Sequence, residues 1–146
     1  MDKYDLFLQD IMEKTQDESL AWENVSPGRY SDYIFQSDSA YRAFACEYMA
    51  NERKYWLVFI DKKVPSHLDN WGTVVDEEHV CELIVLQEGR LLIALDEDYV
   101  DAEDLLQLSL LIEEKSAQTK ELFAQFDLPP SEAPDLSDKK TGIPGG

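Results

Sequence analysis

The chain has 146 residues, 44% of them hydrophobic and 11% aromatic, with 31 acidic against 13 basic side chains and a formal net charge of −18. That length suits one domain with a self-sufficient core, and the apolar content is too high for a disordered chain. The charge argues against direct binding to nucleic acid or anionic membrane, since both need Lys and Arg to neutralise phosphate. No run approaches the ~18 apolar residues of a membrane span.

Residues Asp2 to Thr15 place Tyr4, Phe7, Leu8, Ile11 and Met12 at i, i+3, i+4 spacing, with Asp2, Asp5, Glu13 and Lys14 mainly opposite. This is the pattern of an amphipathic helix. The start of the chain, "MDKYDLFLQDIMEK", lacks an apolar h-region and a small-residue cleavage site, so a cytoplasmic location is expected. "NVSPGRY", around Pro27 and Gly28, reads as a turn-rich loop.

From about Tyr30 the period changes to two. "YSDYIFQ" (30–36) is expected to form the first strand, "AYRAFACEYM" (40–49) the second and, after a turn at "ANER", "KYWLVFID" (54–61) the third. The third run is apolar on both faces, which marks a strand covered on both sides or lying at an oligomer contact. Residues 62–78, "KKVPSHLDNWGTVVDEE", are expected to be a long loop because of Pro65, Trp71 and Gly72, and rank as a site candidate on that ground. "HVCELIVL" and "RLLIAL" flank "QEGR", whose Glu88-Gly89 pair predicts a tight hairpin. A single helix is expected from Asp101 to Phe126, its stripe of Leu105, Leu108, Ile112, Thr119, Leu122, Phe123 and Phe126 buried more deeply in the first half.

The expected fold is α+β: an N-terminal helix, a five-stranded antiparallel β-meander and a C-terminal helix, with the helices packed on one face of the sheet. Residues 1–127 would form the single domain. Residues 128–146, with four prolines and three glycines, would be a flexible tail. "FLQDIMEKTQDESLAW" (7–22), the meander and "DLLQLSLLIEEK" (104–115) resemble a loose set of small bacterial proteins, some of prophage type. The set shares a helix ending in Lys-Thr, a Leu-x-Trp approach to the sheet and a closing Leu-rich helix. The resemblance implies the fold and no activity, and the chain departs from it in residues 62–78 and in its tail.

Candidate chemistry is thin. Counting an EF-hand from Asp96 puts Val100 at position 5, Asp101 at 6 and Gln107 at 12, where ligand, Gly and Glu are required. Zinc ligation has only His67, His79, Cys46 and Cys81 to draw on, without a Cys-x-x-Cys. His79 and Cys81 share a strand face, so a site would need Cys46 on a neighbouring strand; the preferred reading is chance placement with buried thiols. No Gly-x-Ser-x-Gly elbow or Gly-rich phosphate loop is present. No catalytic residue, metal or cofactor is therefore expected.

The acidic surface remains. From Asp76 to Asp104 there are eleven acids against Arg90 alone. Asp101, Glu103 and Asp104 have a local reason as cap and first turn of a helix. Asp76, Glu77, Glu78, Asp96, Glu97 and Asp98, together with the loop residue Trp71, are the expected partner-binding residues. The expected function is a non-enzymatic interaction module, an inhibitor or anti-defence protein presenting a nucleic-acid-like carboxylate surface to a protein with a basic face. The alternatives are a small metal- or thiol-dependent enzyme around Cys81 and His79, and a homodimer or larger scaffold using "YWLVFI".

Overall fold

The computed structural model describes residues 1–126, apart from the Val75 side chain; the expected tail lies outside them. Helix α1 spans Lys3–Gln16, and the Asp2 carboxylate accepts the Asp5 backbone N–H at its start. Strands β1 (Glu23–Val25), β2 (Ala40–Ala50), β3 (Arg53–Leu68), β4 (Val74–Gln87) and β5 (Arg90–Leu95) follow, then helices α2 (Ala102–Lys115) and α3 (Ala117–Phe123). The five strands form one antiparallel sheet in sequence order, the expected meander. Among the described residues no helix is long and apolar enough to cross a membrane.

The alternation of side chains along each strand separates two cores. Phe44, Cys46, Leu57, Phe59, Cys81, Leu83 and Leu95 face α1 and α2, where Leu8, Ile11, Leu105, Leu108 and Ile112 meet them. Ala43, Ala45, Val58, Ile60, Ile84 and Leu86 face the other way, against Tyr30 and Ile34. Strand β3 is thus covered on both sides by its own chain, which accounts for its apolar run without a second copy. The second face also buries Lys62, whose ammonium donates to the Phe35 carbonyl at 2.8 Å and stands 3.4 Å from Glu82. Burial pushes the Glu82 carboxyl up, and the Lys62 charge opposes this.

The expected strand at 30–36 is not one. Residues Pro27–Tyr33 are 3₁₀-helical, and the first strand is the shorter Glu23–Val25, paired with Ala43–Ala45. Pro27 sits in the first turn, and the segment folds back so that Tyr30 and Ile34 cover the second face of the sheet. Trp56 Nε1 donates to the Tyr30 hydroxyl at 2.8 Å, and the Tyr33 hydroxyl donates to the Gly89 carbonyl at 2.7 Å. The closing helix is also two helices, broken at Ser116 in extended backbone. There the Ala117 N–H donates to the Trp22 carbonyl, so the break lets α3 dock beside β1. Leu105, Leu108 and Ile112 are buried, whereas Leu122, Phe123 and Phe126 are exposed, as the deeper first half of the stripe predicts. Both two-residue turns, Asn51-Glu52 and Glu88-Gly89, take positive φ at each position, which suits the twist of a tight hairpin.

The Lys-Thr and Leu-x-Trp elements of the sequence meet in space. Thr15 Oγ1 donates to the Ile11 carbonyl at 2.7 Å and accepts Trp22 Nε1 at 2.9 Å, with both side chains wholly buried. Replacing Thr15 with Val keeps its volume but orphans a buried indole N–H. We expect Thr15→Val to cost about 1–3 kcal/mol in urea unfolding, and a loss below ~0.5 kcal/mol to refute the pairing.

Asp10 joins α1 to the sheet. Lys14 and then the Tyr48 hydroxyl donate to it, and these bonds hold its carboxyl below the ordinary value of 3.8. A depressed carboxylate stabilises the fold above its unfolded pKa and loses that contribution as pH falls through the folded one. The pair is partly exposed, so the effect is expected to stay under ~1 kcal/mol. The stability gap between wild type and Asp10→Asn should be widest near neutral pH and close on acidification below 3.8, as followed by urea midpoints.

Candidate functional site

Residues 62–78, expected as a loop, continue the sheet as a hairpin. The β3–β4 register runs from Trp56↔Leu86 through Asp61↔Cys81 to Pro65↔Glu77 and Leu68↔Val74, with irregularities at Pro65/His67 and at His67/Leu68. Strand β2 ends its pairing at Lys62, and β5 at Leu83. Beyond those points β3 and β4 pair only with each other, forming a two-stranded arm about 20 Å long at ~3.3 Å per residue. Pro65 falls within it, tolerated because each strand of the arm is an edge.

Asp69 shapes the tip. Its carboxylate accepts the Trp71 and Thr73 backbone N–H groups, both at 2.9 Å, and Gly72 takes the left-handed φ of 78° that closes the turn. Trp71 stands 89% exposed there, with Leu68 and Val74 half-exposed behind it.

At the root of the arm lies a polar cluster on the helix-facing side of the sheet. Asp61 follows the apolar run of β3, and its side chain has no solvent exposure. Its Oδ2 accepts Arg42 Nε at 2.8 Å, and its Oδ1 accepts Ser109 Oγ at 2.8 Å. His79 Nε2 lies 3.0 Å and Cys81 Sγ 3.4 Å from the same Oδ1, and those two atoms are 3.6 Å apart. Arg42 Nη1 also donates to Glu113 on α2 at 3.0 Å. The irregularity in β2 between Ala40 and Arg42 leaves Tyr41 unpaired, and its ring lies 6.0 Å from that of His79, tilted by 52°.

This arrangement does not fit a thiol nucleophile. A Cys–His–Asp relay uses the two imidazole nitrogens separately, one toward the thiol and one toward the carboxylate. Here Nε2 faces both. Burial, reinforced by the Asp61 charge, pushes the Cys81 thiol up and keeps it protonated. Cys46 is not in the cluster either: it pairs with Leu57, four residues along from Asp61, about 13 Å at strand rise. His67 lies farther out on the arm opposite Asp76.

The expected partner-binding acids are spread over three neighbouring grooves, and along β4 Glu77 alternates in direction with Asp76 and Glu78. Glu78 and Glu97 line one groove of about 340 Å³ with His79, Cys81 and Glu103. Asp76 and Glu77 continue it past His79 toward the arm, beside Lys63. Glu97 also joins Asp98, Asp101, Asp104 and Asp5 around the starts of α1 and α2. Asp96 has a structural task instead: its carboxylate accepts the Asp98 N–H at 2.9 Å, and its carbonyl accepts those of Tyr99 and Val100. Asp101 caps α2 by accepting the Glu103 N–H.

Sequence reading missed Asp61, Arg42 and Ser109. An acid closing an apolar strand run, with His-x-Cys opening the next, was the available signal. The partners emerge only when the hairpin is centred near Trp71, and reading 62–78 as a loop hides that register. The chain matches no protein-family model, no curated protein and no solved structure.

Removing the Asp61 carboxylate leaves Arg42, Ser109, His79 and Cys81 around an empty buried position. We expect Asp61→Ala to cost about 3 kcal/mol or more, against under ~1 kcal/mol for His79→Ala, whose side chain is 32% exposed. Equal losses for the two variants in urea unfolding would contradict the central role of the carboxylate.

Proposed function

We propose that the protein is an interaction module that binds a partner protein with a basic surface, the β3–β4 arm serving as its docking element. The observation that carries this reading is Trp71, an indole held almost fully in solvent at the tip of an ordered arm. Exposing so large an apolar ring has a cost that burial in a partner's pocket recovers, and Trp is the residue type most enriched in interface hot spots. The carboxylates of Asp76, Glu77 and Glu78 on the arm, with Glu97 beside Glu78 at its root, support the choice of a basic partner, whose approach they would accelerate. The protein acts in this reading by occupying a surface, and where that surface normally holds nucleic-acid phosphate, by competing for it.

The test is capture of partners from an extract of the source organism on immobilised wild-type protein, followed by affinity measurement with the purified partner. Trp71→Ala should weaken binding by about 30-fold or more, the loss of one hot-spot residue. The triple reversal Asp76→Lys, Glu77→Lys, Glu78→Lys should slow association, and raising salt from ~0.05 to ~0.5 M should do the same to wild type. A partner whose affinity ignores both the indole and the salt would refute the proposal.

A further inference from the structure

We propose that Asp61, His79 and Cys81 form a binding site for one transition-metal ion of the zinc class, with a fourth coordination position open toward solvent. The three donor atoms, one oxygen, one nitrogen and one sulfur, lie within 4.8 Å of one another. A tetrahedral zinc ion holds S at about 2.3 Å, N at about 2.0–2.1 Å and O at about 2.0–2.2 Å, which sets the ligand edges near ~3.5 Å for S–N, ~3.6 Å for S–O and ~3.4 Å for N–O. The corresponding separations here are 3.6, 3.4 and 3.0 Å. Three side chains from two adjacent strands thus outline one face of the tetrahedron with little rearrangement.

The donor chemistry selects the ion. A thiolate and an imidazole suit zinc and its neighbours, whereas calcium and magnesium require oxygen ligands throughout. Binding releases the Cys81 thiol proton to solvent. His79 then coordinates through the Nε2 lone pair and carries its remaining proton on Nδ1. Charge balances locally: the ion and Arg42 are offset by Asp61, the Cys81 thiolate and Glu113. Supporting groups are already in place, with Ser109 on the ligating oxygen of Asp61 and Arg42 on the other, the arrangement that orients metal-bound carboxylates. Access comes through His79, which borders the groove lined by Glu78, Glu97 and Glu103. Those carboxylates raise the local concentration of cations.

A hydrogen-bonded cluster around Asp61 with no affinity for metal is the rival account, and metal binding separates the two. Full-length protein stripped of metal would be titrated with Co²⁺, which reports a bound thiolate by sulfur-to-cobalt charge-transfer absorption and four-coordination by its visible d–d bands. We expect saturation at one equivalent and displacement of the signal by Zn²⁺. Cys81→Ser should abolish the charge-transfer band and His79→Ala should weaken binding by at least about 100-fold, while Ser109→Ala costs about 10–100-fold. Cys46→Ser should leave both spectrum and affinity unchanged. His79→Ala is the variant least exposed to misfolding, and circular dichroism checks each one. Absence of a saturable band in folded wild type would overturn the site, as would a band that survives Cys81→Ser or disappears with Cys46→Ser.

Discussion

A single buried carboxylate organises the exposed half of this molecule. Asp61 is where the apolar run of β3 ends and the solvent-facing arm begins, and its two oxygens gather Arg42 from β2, His79 and Cys81 from β4, and Ser109 from α2. A charge without solvent tolerates such a place only when its lone pairs are filled, so the surrounding groups are held in one arrangement. Four elements are thereby pinned at one point. A two-stranded ribbon is marginal alone, and the arm beyond Asp61 depends on that anchored root.

The two sides of the sheet resolve the problem of buried charge in parallel ways. On the helix side Asp61 is met by Arg42, which in turn reaches Glu113 at the surface. On the other side, one residue later in β3, Lys62 is met by Glu82 and by the Phe35 carbonyl. Adjacent residues of one strand send opposite charges to opposite faces, and each meets a counter-charge there. Both lie where the five-stranded sheet gives way to the arm. Polar pairing replaces apolar packing there because the strands lose their outer neighbours on both sides.

The proposed docking element and the proposed metal site share this junction. His79 touches the Asp61 cluster, the groove lined by Glu78 and Glu97, and the ring of Tyr41. An ion held by Asp61, His79 and Cys81 would cross-link β3 and β4 at the base of the arm and stiffen the element that carries Trp71. A less mobile arm loses less conformational entropy on docking, so the two proposals are physically compatible while remaining separately testable.

Much of the fold was legible from local pattern. The helical spacing of Leu8 and Ile11, the two-residue turn at Glu88-Gly89, the two-sided apolar run of β3 and the Asp101 cap each express a preference carried by neighbouring residues, and each is found as expected. The misreadings have a common origin in pairing across distance. A period of two places Tyr30 and Ile34 in a strand, yet their place is decided by the uncovered second face of the sheet. Pro65 and Gly72 suggested a loop, yet edge strands accept a proline and a hairpin tip wants the glycine. By itself, then, the sequence determined the α+β class, the meander order and the acidic character of the surface, because these follow from composition and short-range periodicity. That Asp61 faces Cys81, that Cys46 stays away from His79, and that Glu78 and Glu97 line one groove follows from the assembled fold. Those juxtapositions depend on strand register and helix docking, which are set by the packing of the whole chain rather than by any segment within it.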